Sequence, residues 1–251
     1  MSLLVPGAPL FGAAITAATL LHGYGGFGFG YISVVFFTLL PLSLNTGINL
    51  LTLVSFPVAI LLALLDGRRN PVDWRIVGLL SVGIFLGTPL GYWFVNRFGQ
   101  TDLFRALFGA LLLSFAIYNQ FLSGRSYRVR KSLGPLFGLA GGFLGGAIVS
   151  GGPPMVVYAY GQGGDPREKK GTLQVSFLVA SVFRTILIGV TPGAFSPAML
   201  VSSLLVALPA VGAIAVGHAL SLRSSAGTFR LVVNLLLLGF GLYLLVAAFL
   251  P

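Results

Sequence analysis

Cysteine is absent from the 251 residues, which excludes a disulfide framework, a thiolate metal site and a cysteine nucleophile. Acid is scarce: Asp and Glu number only 5, at Asp66, Asp73, Asp102, Asp165 and Glu168. All five fall in stretches expected to be loops. On that placement no carboxylate is left inside the membrane for a proton relay, an acidic cation site or the paired acids of an aspartyl protease. The 2 histidines, His22 and His218, are too few and too far apart for a metal cluster. A serine hydrolase fares no better, because Ile148 stands where a rhomboid-type Gly-x-Ser-Gly before Gly151 needs glycine. No enzyme activity, cofactor or metal is expected.

What is abundant is apolar. Hydrophobic residues make up 56% and charged residues 8%, against about 25% charged in a soluble domain, and the mean hydropathy is +0.98. The chain is a polytopic helical membrane protein. Its net charge of +10 points less to nucleic acid than to basic loops that fix orientation in a bilayer. Met1 to Leu21 lacks a basic n-region and is expected to be a first span, not a signal peptide.

Two glycine-rich breaks interrupt the apolar sequence. One runs from His22 to Gly30 and contains Gly25 and Gly26; the other is Val149-Ser150-Gly151-Gly152-Pro153-Pro154. Six apolar runs are long enough for the roughly 20 residues a span requires: Asn45–Leu65, Ile76–Val95, Leu103–Leu122, Thr172–Thr191, Pro197–Ser221 and Thr228–Leu250. Four shorter runs, Pro9–Leu21, Phe27–Leu40, Gly134–Ile148 and Pro153–Gly163, flank the breaks in pairs. Each pair is expected to be two short crossings or one re-entrant hairpin.

An offset of 126 relates the two halves. It places Leu10-Phe11-Gly12 on Leu136-Phe137-Gly138, Gly25-Gly26 on Gly151-Gly152, Thr46 on Thr172, Ser55 on Ser181 and Gly91 on Gly217. If each half holds five segments, one face receives twelve Lys and Arg, among them Arg68, Arg69, Arg75, Arg125, Arg128, Arg130 and Lys131. The other face receives only Arg97 and Arg105. With four segments per half the same charges divide evenly, so the positive-inside rule selects five. The expectation is a single transmembrane domain over 1–251, with repeat 1 at about 8–122, a cytoplasmic linker at 123–133 and an inverted repeat 2 at about 134–250. Both termini are then extracytoplasmic. The Gly/Pro-broken hairpins would meet near the bilayer midplane.

Interrupted segments at matching places in two halves point to a transporter's binding site. Helices starting near Phe27 and Pro153 would aim free N–H groups and positive dipole ends at the breaks, as an anion requires. Arg184 is the one charge within an expected span; it is read either as snorkelling to the headgroups or as an anion ligand with the substrate as counter-ion. Asn45, Thr46 and Asn49 in the first half, and Thr172, Gln174 and Ser176 in the second, either cap helices or hydrogen-bond oxyanion oxygens. His22 and His218 are candidate proton-linked groups. Gly138, Gly141, Gly142, Gly145 and Gly146 read as a helix-packing face.

Each half carries a Gly-Gly break, a short apolar run and then a small residue followed by Thr: Gly25-Gly26 with Asn45-Thr46, and Gly151-Gly152-Pro153 with Gly171-Thr172. On these motifs the chain resembles the TauE/SafE sulfite exporter family, also called the toluene-sulfonate uptake permease family. The resemblance implies transport of small sulfur oxyanions or organosulfonates such as sulfite, thiosulfate or sulfoacetate across the cell (inner) membrane. The residues alone point to a small anion of unspecified kind, and leave open an anion channel or a non-transporting membrane scaffold. The expected partners are a small anion and the lipid bilayer, with a homodimer allowed and nucleic acid not expected.

Overall fold

The computed structural model describes residues 8–25, 30, 33, 44–67, 69–121, 128–221 and 226–249. Most of these residues are helical, and none of them is in a strand. In chain order the helices are α1 (Ala8–Gly25), α2 (Leu44–Gly67), α3 (Trp74–Phe98), α4 (Asp102–Phe121), α5 (Gly134–Ile148), α6 (Gly152–Tyr160), α7 (Pro166–Gly189), α8 (Pro197–Ser221) and α9 (Ala226–Phe249). A 3₁₀ turn, Lys131–Leu133, leads into α5. By length and composition α2, α3, α7 and α8 are able to cross a membrane. The expected spans at 103–122 and 228–250 appear as α4 and α9. The expected short run Phe27–Leu40 lies outside the described residues, apart from Gly30 and Ser33.

Local chemistry sets the helix ends. Asp73 caps α3 by accepting from Arg75 N at 3.0 Å and Ile76 N at 3.2 Å. Asp165 caps α7 by accepting from Arg167 N at 2.9 Å, with Pro166 in the first turn where its missing N–H is harmless. Helix α7 therefore starts six residues before the expected span at Thr172. The expectation that all acids lie in loops needs the same correction. Asp73 and Asp165 are caps, Asp102 and Glu168 belong to first turns, and Asp66 is inside α2, 3% exposed, because the helix continues to Gly67.

The short pair in the second half folds back as a helical hairpin. Helix α6 has 9 residues, about 13 Å at 1.5 Å per residue, far less than the ~30 Å hydrocarbon thickness. Its end returns to the start of α5: Val129 N donates to Gly161 O at 2.8 Å, and Tyr158 Oη donates to Lys131 O at 2.8 Å. The tip is Val149, in the left-handed region at φ 56°, followed by Ser150 and Gly151. The loop before α3 reaches the same end of the bundle, where Asp73 N donates to Thr172 Oγ1 at 2.9 Å. The 69–75 and 128–133 segments thus share one face.

Glycine faces hold the helices together, since in lipid close van der Waals packing replaces the hydrophobic drive. On α5, Gly138, Gly142 and Gly146 rest on the backbone of Leu80, Ile84 and Thr88 of α3, while Gly141 faces Met155 and Gly151 across the hairpin. Gly83, Gly87 and Gly91 reciprocate from α3. Helix α1 packs on α8 in a corresponding way. A Cβ at Gly23 would strike Ile214 O and His218 N, and one at Gly146 would strike Thr88 O and Tyr92 N. The partners differ by 126 residues but the glycines by 123. The α1 and α5 ends, Gly25 and Ile148, are also 123 apart, so the first helices sit nearly one turn out of the register that the sequence match gives.

The outer surface is apolar, with Val82, Phe85, Leu86 and Leu90 of α3 and Leu200, Leu204 and Leu208 of α8 all exposed. Trp74 and Trp93, 69% and 61% exposed, sit near the two ends of α3. Their separation along the helix is about 28 Å, close to the hydrocarbon thickness, and interfacial aromatic belts favour such positions.

Candidate anion site

A cavity of about 90 Å³ lies where α2, α7 and the hairpin tip converge. A single water needs about 10–15 Å³ on such a measure, so several waters or one small ligand fit. Helix α2 contributes Ser55, Val58, Ala59 and Leu62; α7 contributes Gln174, Phe177, Ala180, Ser181 and Arg184; the tip contributes Gly145 and Val149 to Gly152. His22 and Gly30, the two ends of the first glycine stretch, also line it. Gly30 lies against Ile148, Val149 and Ser150, close enough that a Cβ would strike all three. Residues from both glycine stretches therefore meet at one cavity.

Arg184 is 2% exposed, which excludes snorkelling. Its Nε donates to Thr52 Oγ1 at 2.8 Å, and the Thr52 hydroxyl donates onward to Ile48 O at 2.8 Å. Its Nη1 donates to Gly145 O at 2.7 Å and also to Gly146 O. These carbonyls belong to the last turn of α5, at the negative end of its dipole, and Gly145 O also accepts the Val149 N–H at 3.1 Å. The guanidinium carbon lies 5.8 Å from the Tyr92 ring centroid, within cation–π range. Of the five N–H donors of arginine, these contacts use three. Nη2 is buried with no hydrogen-bond partner among the described residues.

The rest of the lining is neutral or donor-bearing. Gln174 and the hydroxyls of Ser55, Ser150 and Ser181 are polar, Gly152 begins α6, and no lining residue is acidic. Ser55 Oγ and Ser181 Oγ are 3.4 Å apart. A buried cation without a carboxylate, beside a helix N-terminus, is the electrostatic arrangement an anion seeks.

Of the sequence candidates, Gly151, Gly152, Gln174, Arg184 and His22 reach the cavity. Gly25 closes α1, and Gly26 lies outside the described residues. Pro153 faces a separate apolar cleft between α4, α5 and α6. Several polar candidates are engaged elsewhere. Thr172 accepts from Asp73 N, Ser176 Oγ donates to Thr172 O at 2.9 Å, and Asn49 Nδ2 donates to Ala194 O at 3.1 Å. Asn45 and Thr46 are half-buried at the start of α2 and do not line the cavity. His218 is buried on α8, away from the cavity lining. Ser55, Ser150, Ser181 and Thr52 were not among the candidates. The match of Ser55 with Ser181 at the repeat offset was the signal that would have picked out those two.

These features define a multi-pass helical membrane protein with an anion-suited cavity at a hairpin tip. The family model for the sulfite exporter TauE/SafE matches residues 10–244, nearly the whole chain, and the protein belongs to that family. It is thus a member of a family of exporter-type anion transporters, not of enzymes. No curated protein and no solved structure matches it.

Proposed function

We propose that the protein is a secondary transporter, working as an exporter of small sulfur-containing anions such as sulfite, thiosulfate or organosulfonates. The observation that carries this reading is the buried, unpartnered Nη2 of Arg184 in a cavity free of carboxylates. A bound oxyanion would accept from Nη2 as a charge-assisted hydrogen bond, with Gln174, the serine hydroxyls and the α6 N-terminus satisfying its remaining oxygens. Transport proceeds by alternating access, in which two inverted repeats rock about the cavity. The Ser55–Ser181 contact supports the repeats, because residues 126 apart meet only near an axis that exchanges the halves. The basic face is cytoplasmic by the positive-inside rule.

The test is labelled sulfite uptake into proteoliposomes with the parent protein and Arg184→Lys, which keeps the charge and can still cap α5. Saturable uptake in the parent that falls in the variant supports the reading. Uptake unchanged in the variant refutes the role of Arg184. Ionic currents beyond carrier turnover would make the protein a channel, and no flux of any anion a scaffold.

A further inference from the structure

Asp66 lies one helical turn beyond Leu62, the last cavity residue on α2, and Lys170 one turn before Gln174, the first on α7. Four residues of helix rise about 6 Å. The two helices run antiparallel here, and Lys170 Nζ is 2.9 Å from Asp66 Oδ1. This ion pair therefore stands on the α2–α7 seam between the cavity and the basic-loop face. The Asp66 side chain is 4% exposed and that of Lys170 is 37% exposed. Asp66 Oδ2 is buried with no hydrogen-bond partner among the described residues. A buried carboxylate oxygen that goes unsatisfied is costly.

The other charged groups around it are few. His218 on α8, 8% exposed, interacts electrostatically with Asp66, Lys170 and Arg69. Of the other basic residues in the first turns of α7, Lys169 is taken up by Glu168 at 3.1 Å, and Arg167 is exposed. The far end of the seam is tied differently, through the neutral Asn49–Ala194 hydrogen bond. One end of the α2–α7 pair is held by an ion pair and the other by a neutral hydrogen bond.

We propose that His218 binds a proton beside Asp66, one helical turn from the anion cavity, and that the Asp66–Lys170 ion pair keeps the seam closed. A proton arriving from the basic-loop face adds to the imidazole. The imidazolium competes with Lys170 for Asp66, the half-exposed ammonium is released to water, and the seam loosens. This inference rests on the cavity being the transport cavity.

The test uses the absence of cysteine. Ala59→Cys, in the cavity lining, is labelled with a membrane-impermeant thiol reagent in the full-length protein. Rates are divided by those of Arg130→Cys, on the exposed linker, at each pH to remove intrinsic thiol chemistry. The expected result is a rise of about threefold or more in relative rate as the pH falls from about 8 to about 4, an interval that takes in the charge change of a buried histidine. Asp66→Asn and His218→Gln should each flatten that profile, and Lys170→Gln should raise the rate at every pH. A flat profile in the parent, or a parent-like slope in both Asp66→Asn and His218→Gln, would overturn the proposal. Should either variant fail to fold, Lys170→Gln decides, since a parent-like rate there leaves the seam without its lock. Protection of the Ala59→Cys thiol by sulfite is read separately and reports on the anion cavity, so the two readings fail independently.

Discussion

The hydroxyl oxygens of Ser55 and Ser181 lie 3.4 Å apart, although the residues are 126 positions apart in the chain. That interval is the offset at which the two halves match in sequence. A few residues away on each side of this contact, the chemistry diverges: Arg184 on α7 finds Thr52 on α2, and nothing equivalent recurs among the described residues of the other half. Near-symmetric helices thus carry one asymmetric cation, and the cavity gains a single charged donor instead of two.

The glycine packing predicts a position-specific stability pattern. A Cβ at Gly142 would press on the backbone of Ile84, whereas one at Gly78 meets nothing within 4 Å. Overpacking costs about 1–3 kcal/mol, so Gly142→Ala should lower the thermal midpoint of the detergent-solubilised protein by about 2–12 °C. Gly78→Ala should leave it unchanged or slightly raised, because alanine favours helix. Equal midpoints for the two variants would contradict the packing described.

Thr172 separates a tether from a ligand. Its Oγ1 accepts the Asp73 N–H that starts α3. Thr172→Val removes that acceptor and should cost about 1–3 kcal/mol of stability, without changing the apparent affinity for sulfite. A weakened affinity at unchanged stability would return Thr172 to the binding site.

The sequence carried much of this arrangement, for reasons that can be named. The Gly151-Gly152-Pro153 break was legible because glycine and two prolines cannot continue a helix, and Arg184 because a lone charge stands out in an apolar run. The small-residue face of α5 was legible from its spacing. The fates of Thr172 and Asn49 were not, since their partners are a loop N–H and the Ala194 carbonyl, and pairings between elements leave no pattern in the sequence; Ser176 instead turns back to the Thr172 carbonyl of its own helix. Asp66 was misplaced because helix ends are the least certain part of any sequence reading, and one more turn of α2 converts a loop acid into a buried one. The offset of 123 between α1 and α5 escaped because the Gly-Gly pairs align so readily at 126.

Topology gives a further prediction. Single cysteines introduced as Arg69→Cys and Arg130→Cys, at exposed positions, should label from the same side, which the basic loops make cytoplasmic. Thr101→Cys, in the α3–α4 turn, should label from the opposite side. Labelling of positions 69 and 130 from opposite faces would dismantle the five-segment repeat.

The most direct measurement is equilibrium binding of labelled sulfite to the purified protein, comparing the parent with Arg184→Lys at matched thermal stability. Loss of the Nη2 donor removes a charge-assisted hydrogen bond worth about 1.5–3 kcal/mol, and each 1.4 kcal/mol is tenfold in affinity. The account predicts saturable binding in the parent and binding weakened by roughly 10- to 100-fold in the variant. Binding of equal affinity in both proteins would contradict it.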